Sequence, residues 1–279
     1  MILTAENYFS PEANWEYMSN SQFGDFDKCE AKAMAKLNGE WETETPAVMI
    51  QGSYVHAWNE GKLEQFKARH PELYKNDGNL YAKYENMNGI IEVIENDPKF
   101  MEALSGEKEK IFTTEMFGCK WKIMIDSYLK EKRRWGDLKV LAALSGKQFK
   151  VYNEEFNVYQ NVFEAYGYYR QVAIYSEVER LFNKRDVYFE PFLAIATKEK
   201  YTDKAIVSFI CDMYGTKATD LYQSLVEFIQ LELKYVSEKM PRILKVKAGE
   251  IKPMRCEVCD YCKSTKMLTG TTHYTQFQL

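Results

Sequence analysis

The sequence predicts an α/β fold with a mixed central β-sheet flanked by helices. Three observations predict it: helical segments fill the first hundred residues, three strand-like runs follow between Lys110 and Leu141, and a long amphipathic run from about Glu155 to Phe182 precedes two further strand-like runs.

Ser21 can cap a helix running through Leu37, and Pro46 to Glu64 forms a second. Tyr81 to Asn96 is a third, ended by Asp97-Pro98, because the residue before a proline avoids the α region. Lys110 to Phe117, Lys120 to Leu129 and Arg134 to Leu141 read as strands. Lys120 to Asp126 alternates apolar and polar residues, and Lys130 to Arg134 makes the turn to the next strand. The helix from about Glu155 to Phe182 is followed by strands at Val187 to Thr197 and Ala205 to Met213, then by a helix from about Ala218 to Lys239 that Pro241 stops. Without a repeat or low-complexity linker, the chain reads as one domain: a helical part over 1–105, an α/β core over 106–240, a Cys-rich basic segment over 241–268 and a tail over 269–279.

The chemistry concentrates at Ile125-Asp126 and Trp135-Gly136-Asp137-Leu138-Lys139. Asp137 and Lys139 are two apart, so on a strand they face the same side, and Asp126 ends the neighbouring strand. Two carboxylates and a lysine at adjacent strand ends suit a hard cation, Mg²⁺ or Mn²⁺, which lowers the pKa of a bound water and steadies charge on a phosphodiester. D-x-K alone is a common solvent-facing tripeptide, so the motif depends on its company. Upstream, Gly52, His56 and Glu60 recur every four residues and line one helical face; downstream, Gln171 and Tyr175 set an amide beside a phenol.

This ordered set, G-x-x-x-H, D, D-x-K, Q-x-x-x-Y, resembles the PD-(D/E)xK nuclease superfamily, specifically its RecB-like branch. The resemblance implies a restriction-endonuclease-like core, with His56, Asp126 and Asp137 as metal ligands, Lys139 as the catalytic lysine, and Gln171 and Tyr175 as the pair contacting DNA near the scissile phosphate. The stretches from Leu3 to Ser10 and Tyr17 to Phe23 are similar to phage-encoded exodeoxyribonucleases of the exonuclease VIII (RecE-like) type, so the likeness runs to about Lys266. Two departures stand out: Asp in place of the commoner Glu before x-Lys, and no proline before Asp126. The implied activity is resection of double-stranded DNA ends for phage-type recombination, beside a single-strand annealing protein and as a homo-oligomeric ring. An endonuclease of the same superfamily and a non-catalytic DNA-binding protein are the alternatives; the intact acidic, lysine and Q-x-x-x-Y set argues against the latter.

Cys256, Cys259 and Cys262 form C-x₂-C-x₂-C in a basic segment, and Cys29 stands alone near the other end. Some RecB-like nucleases join one N-terminal and three C-terminal cysteines around an iron–sulfur cluster, and this layout resembles theirs, although the last interval is shorter than in that pattern. A [4Fe-4S] cluster, Zn²⁺ held by the same four thiolates, and free thiols all remain open. Cys119 and Cys211 lie in apolar strand-like runs and read as buried bystanders.

The 46% hydrophobic content of the 279 residues excludes a disordered chain. No run reaches the roughly 18 apolar residues of a membrane span, and the start lacks a secretory layout. These features predict a cytoplasmic protein whose cysteines are not in disulfides, and the resemblance implies a bacterium or a phage-infected cell as its setting. Net charge is −4, so the positive potential that DNA needs must be local. Lys130, Lys132, Arg133 and Arg134 in the turn, and Arg242, Lys245, Lys247, Lys252, Arg255, Lys263 and Lys266 in the C-terminal segment, are the sequence candidates.

Overall fold

The computed structural model describes residues 1–42, 47–153, 158–210, 217–268 and 270–271. In chain order the helices are α1 (Pro11–Glu16), α2 (Asn20–Lys28), α3 (Glu30–Leu37), α4 (Ala47–Asn59), α5 (Leu63–Arg69), α6 (Asn86–Glu95) and α7 (Pro98–Ala103), with β1 (Tyr17–Met18) after α1. There follow β2 (Lys110–Met116), β3 (Cys119–Ile125), β4 (Ser127–Leu129), β5 (Arg134–Leu141), β6 (Lys150–Asn153), β7 (Val158–Asn161), α8 (Val162–Ala165), α9 (Tyr168–Phe182), β8 (Glu190–Thr197), β9 (Lys204–Ser208), α10 (Ala218–Lys247) and α11 (Asp260–Ser264).

The strands form a three-stranded sheet ordered β1-β3-β2, a four-stranded sheet ordered β4-β5-β8-β9, and a separate β6-β7 hairpin. In the larger sheet β5 and β8 run parallel while β4 and β9 are antiparallel to them, so it is mixed as expected. Period-2 alternation sorts the β5 side chains between two cores. Trp135 and Leu141 join Val172, Ile174 and Val178 of α9, whereas Leu138 joins Tyr54 and Val55 of α4 and Ile90 of α6. With both faces covered, β8 is buried from Pro191 through Thr197, which explains its nearly unbroken apolar run.

Several boundaries differ from the sequence expectation, each for a physical reason. The helix expected from Ser21 to Leu37 starts instead behind the cap Ser19, whose hydroxyl accepts from the Gln22 amide at 3.2 Å, and breaks at Cys29. Cys29 is extended (φ −164°, ψ 104°), closing α2 and opening α3, and its sulfur accepts from the Lys32 amide at 3.4 Å. The second helix spans Ala47–Asn59 and ends before Gly61, whose φ of 70° is a left-handed conformation that suits glycine; Pro46 lies outside the described residues. The third opens with a 3₁₀ turn at Ala82–Tyr84 before α6.

Of the helix expected from Glu155, residues 155–157 lie outside the described residues, and the part that follows begins as a strand. Val158–Asn161 pairs antiparallel with Lys150–Asn153, Asn161 caps α8, and Gly167 at φ 70° separates α8 from α9. Val187 to Phe189 precede the strand β8, and β9 ends at Ser208; residues 211–216, with Cys211, lie outside the described residues. Pro241 does not stop the last helix: α10 continues to Lys247. Proline inside a helix costs about 3 kcal/mol, but Val236, Met240, Ile243 and Val246 are all buried on one face either side of it, and burying such side chains contributes about 1.5–3 kcal/mol each. Among the described residues no helix is long and apolar enough to cross a membrane.

Candidate active site and cysteine centre

One strand passes from the first sheet to the second, and the acidic residues gather at that crossing. Ile125 pairs with Lys110 in the first sheet and Ser127 with Gly136 in the second. Asp126 lies between, outside both ladders, and its Oδ2 accepts from the Leu138 amide at 2.8 Å. The carboxylate takes over where the β4–β5 ladder ends, so a backbone donor stays satisfied and Asp126 is fixed beside β5. Gly136 is required next door: a Cβ there would lie 2.2 Å from the Phe192 ring.

Asp137 and Lys139 project from β5 toward α9, as their spacing predicts. Lys139 Nζ is 2.5 Å from the buried Asp137 Oδ2, a close charge-assisted pair. Gln171 Nε2 donates to Asp137 Oδ1 at 2.7 Å. Burial works against the Lys139 charge, but Asp137, Tyr168 and Asp126 together outweigh it and hold the ammonium's pKa above its ordinary value. Burial also raises the Asp126 carboxyl, with His56 pulling it down and Asp137 pushing it up.

Gln171 and Tyr175 share a face of α9, but neither projects freely into solvent. Gln171 is buried against Asp137, and Tyr175 packs on Trp135 with ring centroids 5.8 Å apart. Burial pushes the Tyr175 phenol well above its ordinary pKa, so it stays a neutral donor.

His56 reaches the site from α4 on the opposite side of the sheet, with Nδ1 3.6 Å from Asp126 Oδ2. Its ring lines a cleft of about 700 Å³ with Glu60, Lys62, Arg69 and Glu109. Lys62 is paired with both Glu109 and Glu60, and burial, reinforced by Glu109, raises the Glu60 carboxyl. His56 and Asp126 approach to 3.6 Å without forming, with Asp137, a cluster as close as that of the four cysteines among the described residues. They nonetheless suit a divalent cation: the donors are two carboxylates and an imidazole, and one buried anionic oxygen has only an ammonium beside it.

Sequence reasoning missed Tyr168, whose ring lies under Lys139 with Nζ 4.7 Å from its centroid. The only signal was Tyr168's position three residues before Gln171, too common a pattern to read. Lys62 and Arg69 were missed as well. Five of the eleven expected basic residues are committed elsewhere. Lys132 pairs with Glu102, Arg134 with Glu190, Arg242 with Glu30 and Arg255 with Glu257. Lys247 is turned inward onto Asn14 O and Gln22 Oε1.

Cys29, Cys256, Cys259 and Cys262 come together with their sulfurs all within 4.8 Å. Cys29 and Cys262 sulfurs are 3.6 Å apart, those of Cys256 and Cys262 3.9 Å. A tetrahedral ion bound at about 2.3 Å per thiolate sets sulfur–sulfur edges of about 3.8 Å, close to these spacings; a four-iron cluster would hold the thiolates further apart. Burial raises the Cys259 thiol, whereas at Cys256 the backbone amides of Val258 and Cys259, together with the Cys259 and Cys29 sulfurs, outweigh burial and lower it. Cys119, in β3, is away from this centre and raised to about 11 by burial.

A family described as a PDDEXK-like domain of unknown function (DUF3799) matches residues 19–265. The chain belongs to this family. The matched span of this PDDEXK-like domain holds both the acidic site and all four clustered cysteines. A crystal structure of a candidate exonuclease from Eubacterium rectale is similar throughout, with a TM-score of 0.86 and 37% identity over 100% of this chain and 98% of that one. No curated protein matches. The fold is thus that of the PD-(D/E)xK nucleases, and the mixed sheet flanked by helices agrees with it.

Proposed function

We propose that this PDDEXK-like protein is a divalent-metal-dependent exodeoxyribonuclease that digests double-stranded DNA from its ends. The observation carrying this reading is the arrangement around β5: Asp126 held by the Leu138 amide, and Asp137 held between Lys139 and Gln171. The likeness to a candidate exonuclease supports digestion from ends.

Asp126, Asp137 and His56 would hold Mg²⁺ or Mn²⁺, which supplies a water of lowered pKa and charge neutralisation at the phosphate. Lys139, kept protonated by Asp137, orients the attacking oxygen and offsets charge that develops on the phosphate. Gln171 fixes the Asp137 carboxylate through Oδ1, and its other oxygen meets Lys139. Tyr175, neutral and packed on Trp135, braces that helix face and offers a hydroxyl to a phosphate. The four cysteines hold one structural ion or cluster joining the two ends of the matched domain; their close spacing favours a single Zn²⁺ over [4Fe-4S].

The test is cleavage of linear against closed circular duplex by purified protein with Mg²⁺ or Mn²⁺. Digestion of linear DNA alone is expected; nicking of the circle would make the protein an endonuclease, and no cleavage of either would overturn the reading. A recombination role beside an annealing protein and a ring-shaped assembly follow from the likeness to RecE-type enzymes. Sedimentation of the protein with and without duplex tests the ring.

A further inference from the structure

The β6–β7 hairpin stands apart from both larger sheets, inserted in the chain between the strand carrying Asp137 and Lys139 and the helix carrying Gln171 and Tyr175. An isolated two-stranded hairpin is marginal by itself. This one is anchored at its base, where Phe149, Val151 and Phe163 pack onto the main core. Alternation then turns Lys150 and Tyr152 the other way, and Tyr159 lies directly across from Tyr152. The two rings meet edge to face at 5.2 Å, and Tyr159 is 71% exposed.

Packed rings run from this hairpin to the acidic site. Phe149 touches Phe163 at 5.4 Å, Phe163 touches Tyr168 at 6.2 Å, and Tyr168 lies under Lys139. The exposed Tyr166 adjoins Tyr168 at 6.0 Å. Lys147 and Lys150, both exposed at the hairpin's start, are in no ion pair among the described residues.

We infer that the outer face of this hairpin, Tyr152 and Tyr159 with Lys147 and Lys150, binds an unpaired DNA strand next to the active site by stacking on its bases. The inference rests on the nuclease reading and adds a substrate feature, a single-stranded segment at the duplex end. Exposed aromatic faces accept any base by stacking, and flanking ammonium groups meet the phosphates, which is how sequence-tolerant single-strand binders work. An aromatic pair beside cationic side chains, on a hairpin whose other face packs through Phe149 and Phe163 toward Tyr168 and Lys139, fits that ligand better than an apolar protein surface.

The test measures binding in EDTA, where cleavage is blocked, by anisotropy of labelled duplexes with blunt ends and with single-stranded tails. Wild-type protein is expected to bind the tailed duplex more tightly, and Tyr152→Ala/Tyr159→Ala to lose at least about fivefold of that preference while binding blunt duplex normally. Lys147→Ala/Lys150→Ala should reduce the salt dependence of tail binding by about 0.7 in log–log slope for each phosphate that is no longer neutralised. Tyr159→Trp should retain or increase the preference, which a merely structural role would not predict. Equal tail preference in wild type and the double tyrosine variant, with normal blunt-end binding and cleavage, overturns this inference and leaves the nuclease reading standing. Absence of DNA binding in every form overturns both. A change in self-association on removing the tyrosines would instead make the hairpin an interface between copies and overturn the inference.

Discussion

Gln171 donates to Asp137 through a 2.7 Å hydrogen bond, so the Q-x-x-x-Y motif stands behind the carboxylate instead of facing the solvent. Under the proposed reading, an amide in that place would act through Asp137. Gln171→Ala is therefore expected to lower cleavage about 10²-fold and also to change the metal concentration needed, whereas Tyr175→Phe should lower cleavage with the metal titration unchanged. Identical metal titrations for Gln171→Ala and wild type would show that the hydrogen bond does not tune the site.

Asp126 has two separable duties, charge and backbone capping. Asp126→Asn keeps an acceptor for the Leu138 amide, so it should abolish divalent-dependent cleavage with little loss of stability. Asp126→Ala should lose cleavage and in addition about 1–3 kcal/mol, the cost of an unsatisfied buried donor. Chemical denaturation of both variants checks this; equal stabilities would mean that the amide finds another partner. Asp137→Ala and Lys139→Ala should each cost at least about 10²-fold in rate.

His56→Ala is expected to weaken metal binding and shift the Mn²⁺/Mg²⁺ preference toward Mg²⁺, because imidazole suits Mn²⁺ better. Calorimetric titration of each ion into protein without DNA reads this directly. An unchanged preference would leave His56 as a partner of Asp126 only.

Cys29→Ser leaves the C-terminal triplet whole, yet removes one of the four sulfurs. Loss of stoichiometric metal and a fall in Tm of roughly 5–10 °C are expected, since the centre closes a loop of more than 200 residues. Metal analysis also separates the occupants: colourless protein with one zinc, or brown protein with iron and sulfide.

Lys122 and Lys247 supply a pH prediction. Lys122 Nζ is enclosed by Tyr8 O and Asn14 Oδ1, Lys247 approaches it, and burial lowers both to about 8. The unfolded chain, with lysines near 10.5, binds more protons between about pH 8 and 10.5, so stability contributed by these groups rises with pH across that window. Below pH 8 both states are protonated and the cost of burying the charge is fully present. Urea unfolding at pH 7.5 and 9.5 should show wild type gaining relative to Lys122→Met; equal pH slopes would refute the shift.

The strand β5 was legible residue for residue because period-2 alternation, the turn at Lys130 to Arg134 and the D-x-K spacing all agree on it. The fourfold cysteine grouping was legible because thiols so spaced in sequence rarely serve packing. The hairpin Lys150–Asn153 with Val158–Asn161 was not, since its residues also fit a helical period and only the long-range anchoring of Phe149 and Phe163 decides between the two. Pro241 misled for a related reason: a local rule lost to burial on both sides of it. The pairing of Arg134 and Arg242 could not be read from the sequence, because their partners Glu190 and Glu30 lie far away in the chain.

Asp126 sits on a seam: the strand on one side of it belongs to one sheet, the strand on the other side to the second. Any slip between the sheets moves this carboxylate relative to Asp137 before it unfolds anything. Variants in either core that leave the protein folded would therefore register as sluggish enzymes, and a screen scored by turnover alone would mistake mechanical slack for damaged chemistry.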